Sequence, residues 1–166
     1  IPFVVVDTEL TGLDTKRDSV VSVGAVKMAS TRIELGRSFY RLVSPRADFK
    51  REGIMVHGIT PDDVAAKPPL DVVADELLAF CGDRIVVGHF LSLDLGFLGR
   101  EAPVMKAADL RRRAVDTVRI HSWVEQQRHR HAGGYAVPEG ALNLVSLALS
   151  HGIRVGSPGL DLAAMQ

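Results

Sequence analysis

Apolar residues open the chain in three dense stretches, over residues 2–6, 19–28 and 33–43, with short polar segments between them. Dense apolar runs punctuated by turn-type residues predict a strand meander. Residues 14–18 (Asp-Thr-Lys-Arg-Asp) and 29–32 (Ala-Ser-Thr-Arg) are polar enough to serve as the two hairpin loops. Residues 44–69 read as irregular, because they carry Pro45, Gly53, Gly58, Pro61, Pro68 and Pro69. Pro69 then opens a helix in which Leu70, Val73, Ala74, Leu77, Leu78 and Cys81 recur at helical spacing, and Gly82 suits its C-terminal cap. A short buried strand is expected over 84–88, helices over 93–101, 117–127 and 141–151, and a loop over 128–135. Strands first and alternation later predict an α/β or α+β layered domain with a mixed sheet.

The first strand runs straight into two carboxylates, Asp7 and Glu9. Its four apolar residues, Phe3 to Val6, read as buried on both faces, and residues two apart on a strand project to the same side. Carboxylates brought that close resist joint ionisation unless a divalent cation neutralises them, and oxygen-only ligands favour magnesium, manganese or calcium. Alternatively, the strand simply ends here and its charges face solvent. A third acid, Asp94, sits between Leu93 and Leu95 after another strand-like segment, and a carboxylate on so apolar a helix needs a partner. The helix dipole alone could serve it.

Composition narrows the classes. The chain has 166 residues, 46% hydrophobic and 24% charged, which suits a single globular domain over 1–166. No apolar run approaches the ~20 residues of a membrane span, so a soluble, cytoplasmic protein is expected. A net charge of zero excludes a generally basic surface and leaves nucleic acid to local basic patches or metal ions. The single cysteine, Cys81, rules out an internal disulfide and reads as buried. The absence of an initial Met and the final residues, which read as a young helix, suggest a fragment truncated at its C-terminal helix.

Several segments together are similar to one family. Asp-Thr-Glu-Leu-Thr-Gly-Leu at residues 7–13 and Gly-His-Phe-Leu-Ser-Leu-Asp-Leu-Gly-Phe-Leu at 88–98 resemble the first two motifs of the DEDD exonucleases, in the DEDDh-type branch that includes proofreading subunits of bacterial replicative DNA polymerases. Glu52 followed by His57-Gly58-Ile59-Thr60, then Asp116-Thr117, then the helix from Leu144 to Ile153 match further family segments in family order. The resemblance implies a ribonuclease H-like fold with a mixed five-stranded sheet flanked by helices. It also implies hydrolysis of phosphodiester bonds from the 3′ end of DNA, with release of nucleoside monophosphates. Two magnesium or manganese ions would sit among Asp7, Glu9, Asp94 and a fourth acid, while Leu13, Glu52 and His57 would contact the terminal nucleotide. The implied partner is a single-stranded or frayed DNA 3′ end, with a polymerase or fused module as a further partner. An RNA 3′-end trimming activity falls within the same resemblance.

The third motif departs from the pattern. The family has His, four residues and then Asp, or in a sister subclass Tyr, three residues and then Asp. Asp161 is the acid at this place, yet Gly156 and Ser157 stand at the base positions. Four readings are open: a degenerate domain that binds without cutting; a base supplied by His151, His129 or His131; metal ions activating water unaided; or residues missing between Val155 and Leu160. Elsewhere, Arg111-Arg112-Arg113 and residues 128–131 form basic clusters that suit backbone tracking or plain solvation. Trp123 reads as helix packing, and aromatics at 5% suggest no stacking platform. Ser146 and Ser150 lack a nucleophile elbow, and no glycine-rich phosphate loop is present.

Overall fold

A computed structural model describes residues 1–103, 110, 113–130 and 142–155. It forms two compact units, Ile1–Asp116 and Thr117–Gln166. In the first unit, strands β1 (Pro2–Leu10), β2 (Val20–Ala29) and β3 (Arg32–Leu42) make the expected antiparallel meander. Strands β4 (Ile85–Gly88) and β5 (Ala114–Asp116) then add in parallel, giving a mixed five-stranded sheet in the order β3-β2-β1-β4-β5. Helices α1 (Arg51–His57), α2 (Pro61–Val64), α3 (Leu70–Cys81) and α4 (Leu91–Glu101) connect β3 to β4 and follow β4.

Alternation along β1 sets the layering. Val4 and Val6 are buried, whereas Phe3 and Val5 are only half-buried, so β1 has one fully buried face rather than the two expected. On that buried side lie Val20 and Val23 of β2 and Val86 of β4, packed with Leu70, Val73, Ala74 and Leu77 of α3 and Leu95, Phe97 and Leu98 of α4. Each such side chain removed from water contributes roughly 1.5–3 kcal/mol. Cys81 is buried in this core, as its apolar helix predicts. A smaller cluster of Val21, Ile59 and Val64 forms separately, with Leu42 and Phe49 against it.

The segment expected to be irregular holds two short helices. Thr60 and Asp63 close a capping box on α2 with Pro61 at its start, and Gly58, at φ 73°, terminates α1. Helix α3 begins after Pro69 and ends at Gly82, as the spacing predicts. Helix α4 starts two residues earlier than expected.

In the second unit, α5 (Thr117–Arg130) runs past the expected end, so residues 128–130 are helical rather than loop. Residues 131–135 lie outside the described residues. Helix α6 (Leu144–Ser150) begins three residues later than expected, because the Asn143 side chain accepts from the Ser146 N–H and caps it. Among the described residues, no helix is long and apolar enough to cross a membrane.

Candidate active site

Strand β1 outruns its parallel neighbour. The β1–β4 ladder pairs Phe3 with Ile85 through Val5 with Val87 and stops, while β1 continues to Leu10 along β2. Asp7 and Glu9 occur on this continuation, at alternate positions opposite to buried Thr8 and Leu10. Beyond β4 the chain turns through Phe90 into α4, whose first turn carries Asp94. Asp94 is 6% exposed, and its Oδ1 accepts from the Thr8 backbone N–H at 3.1 Å and from Thr8 Oγ1 at 2.5 Å. The partner this carboxylate requires is therefore a threonine between the two strand acids.

The three acids face one cleft of about 540 Å³. Burial pushes Glu9 up to about 7, with the charges of Asp7 and Asp94 adding to the rise. Asp94 is raised to about 6, first by burial, against the Thr8 hydroxyl, and then by Asp7. Asp7 is raised by desolvation, which the Thr8 amide and the charge of His89 partly offset. Glu9 and Asp94 thus titrate near the neutral range, and Asp7 lies above its ordinary value. A cluster of carboxylate oxygens of this kind is a donor set whose chemistry fits magnesium or manganese. Among the described residues, no three His, Cys, Asp or Glu side chains are arranged closely enough to grip a metal ion as they stand.

Leu13, Glu52 and His57 line the same cleft. Helix α1 reaches it because Gly53 has no side chain: a Cβ there would lie 3.1 Å from the carbonyl oxygens of Leu10 and Thr11. Leu13 is 74% exposed, an apolar side chain offered to water at the rim. His57 Nδ1 accepts the Ile59 N–H at 3.0 Å. Burial lowers its pKa while the Leu10 carbonyl pulls the other way, so the ring is neutral near pH 7 with its proton on Nε2. Nε2 is buried without a well-formed hydrogen bond.

Asp161, Gly156 and Ser157 lie outside the described residues, as do Arg111, Arg112, His131, Tyr135 and the His129 side chain. His151 belongs to the second unit, where its ring meets that of His121 at 5.8 Å. Trp123 is 61% exposed rather than packed, because it falls on the polar side of an α5 whose composition is strongly hydrophilic. Arg113 bonds the Gly82 carbonyl at 2.7 Å and pairs with Asp83, a structural role. The cleft also holds Thr8 and His89, which stand within the two motifs without an assigned role, and Lys50 and Phe90, which no motif position marks. Thr8 was detectable by its place between the acids. Phe90 puts a single aromatic ring in the cleft.

The family model for the RNase_T exonucleases matches residues 4–136. The chain belongs to this exonuclease family. DNA polymerase III subunit epsilon of Rickettsia conorii is 31% identical over 109 residues, covering 65% of this chain and 47% of that protein. The chain thus spans about half the length of the curated relative it matches. Among solved structures, exonuclease X in complex with 5′-overhanging duplex DNA superposes with a TM-score of 0.64 at 21% identity, covering 95% of this chain and 77% of that one. The zinc-bound form of an E. coli exonuclease I–single-stranded DNA complex gives 0.71 at 17% identity, covering 96% and 37%. These likenesses establish the ribonuclease H-like fold of the exonucleases, with the sheet order found here.

Proposed function

We propose that this chain is a metal-dependent 3′-to-5′ exonuclease that hydrolyses phosphodiester bonds at a DNA 3′ end and releases nucleoside monophosphates. The observation that carries the reading is the gathering of Asp7, Glu9 and Asp94 in one cleft, with the pKa of each raised by burial and, for Glu9 and Asp94, by its acidic neighbours. Asp7, Glu9, Asp94 and Asp161 would hold two magnesium or manganese ions. When bound, such ions neutralise charge developing on the phosphate and lower the pKa of water.

The chain's own residues orient and discriminate. Thr8 fixes one oxygen of Asp94 and leaves the other for a cation. Glu9 and Asp94 would have to be deprotonated to hold a cation, so cation binding should strengthen as pH rises through their range. His57 and Glu52 would contact the terminal nucleotide, and Leu13 would cover its base or sugar with apolar surface. No histidine stands at the family's base position, and a general base contributes about 10²- to 10⁴-fold. Hydrolysis in its absence is slow rather than abolished. As for partners, the resemblance to polymerase III epsilon supports association with a replicative polymerase.

The test is degradation of a 3′-labelled single strand by the purified chain with manganese, beside an Asp7→Ala control and a matching RNA. Loss of label from DNA in the wild type alone, at least 10²-fold faster than in the control, is expected. Preferential loss from RNA would assign the protein to RNA trimming. Binding without degradation would leave a catalytically silent domain, the reading that Gly156 at the histidine position favours.

A further inference from the structure

We propose that Phe90 is a nucleobase-stacking residue of the cleft, a reading that rests on a single strand entering there. Among the described residues only Ser30 and Phe90 are non-glycine residues with positive φ. Ser30 sits in a hairpin turn, where a small polar residue tolerates the left-handed region. Phe90 adopts φ 52° and ψ 34° at the entry to α4, a conformation that bulky side chains rarely take. Asn or Gly would adopt it with less strain. A strained aromatic in place of an easy residue points to what its ring does there.

The ring is not spent on the core. Phe90 is 47% exposed, lines the cleft that holds the three acids, and meets the ring of His89 edge-on at 4.8 Å. Its backbone N–H donates to Asp116 Oδ1 at 3.2 Å, which pins the turn from the adjacent strand β5. Among the described lining residues Phe90 is the sole Phe, Tyr or Trp, and Lys50 the sole Lys or Arg. A cleft this rich in carboxylates has little of its own to attract an anionic strand. A flat apolar ring binds a nucleobase face whatever the charge around it, and without preference among bases.

The experiment compares wild type with Phe90→Asn, Phe90→Leu and Phe90→Trp, the last in a Trp123→Phe background. Equilibrium binding of a single strand with cleavage-resistant phosphorothioate linkages is measured with KM and kcat on the ordinary strand. Stacking predicts that Phe90→Asn melts at a higher temperature, through relief of backbone strain, yet binds about five- to tenfold more weakly. Phe90→Leu loses a similar factor, kcat changes less than KM, and Phe90→Trp retains affinity while its fluorescence is quenched by the strand. Unchanged affinity in both Asn and Leu variants overturns the proposal, and so does a wild type that binds no strand. Loss of affinity in those variants alongside a wild type that never cuts would sustain the stacking role and defeat the exonuclease reading instead.

Discussion

Two sets of acids lie close to one another in the sequence and are treated in opposite ways. Asp18 and Glu101, 2% and 3% exposed, are fully served. Asp18 accepts from Lys50 Nζ at 2.7 Å and from the Asp14 N–H at 2.8 Å, and Glu101 accepts from the Val20 N–H at 3.2 Å and from Arg100 at 2.6 Å. Arg100 also binds the carbonyls of Thr15 and Asp18, so this network fastens the β1–β2 hairpin to α4. Even the missing side chain of Gly12 belongs to it, since a Cβ there would fall 2.4 Å from Asp18 Oδ2. Desolvation alone would raise the Asp18 pKa, but Lys50 and its other donors hold it below the ordinary value. Asp7, Glu9 and Asp94 have no such cations among their pKa-setting neighbours apart from His89 beside Asp7, and all three are raised. Desolvation acts on Asp18 as it does on the three cleft acids. The difference is that Asp18 has its compensating charge built into the chain, in Lys50.

The contrast can be broken at either set. Asp18→Ala should cost about 2–3 kcal/mol by urea unfolding, since it strands Lys50 and the Asp14 amide; a loss under 0.5 kcal/mol would show that the hairpin is held otherwise. A smaller loss is expected from raising the pH. Glu9 and Asp94 bind protons more tightly folded than unfolded, with folded values of about 7 and 6 against 4.5 and 3.8. Their contribution to stability is therefore present at low pH and lost as pH rises from about 4 to about 7, by roughly 1–2 kcal/mol after discounting for exposure. Asp18 runs the other way and loses its contribution only as pH falls below 3.8. Melting curves from pH 4.5 to 8 should show the decline without divalent metal and its removal with magnesium; a flat profile would sink the idea of stored repulsion. Smallest, Glu9→Gln should stabilise the metal-free protein by about 1 kcal/mol and abolish most of the magnesium-induced rise in melting temperature. A destabilised variant would mean that Glu9 is serving the fold.

Much of this was legible before any coordinates. The period-two pattern of β1 puts Asp7 and Glu9 on one side, and the spacing from Leu70 to Cys81, bracketed by Pro69 and Gly82, defines α3 closely. What escaped is short or non-local. Helices of 7 and 4 residues carry too few turns to impose a period, and α1 depends on Gly53 lying against the end of β1. Strand β5 is three residues long and exists through its pairing with β4. The bond between Thr8 and Asp94 spans 86 positions, so only the fold reveals it. Phe90 was hidden for a different reason, because nothing in a phenylalanine's identity announces a left-handed turn.

Where β1 passes beyond the end of β4, the Thr8 amide is held by a carboxylate in place of a ladder carbonyl. Its protection against hydrogen exchange is therefore tied to the state of Asp94 rather than to the sheet. A proton or a cation that draws on that carboxylate weakens its hold on the amide, while the neighbouring β1–β2 pairs remain closed. If the proposed cations bind, exchange at this one backbone position on the central strand should report it with no substrate present.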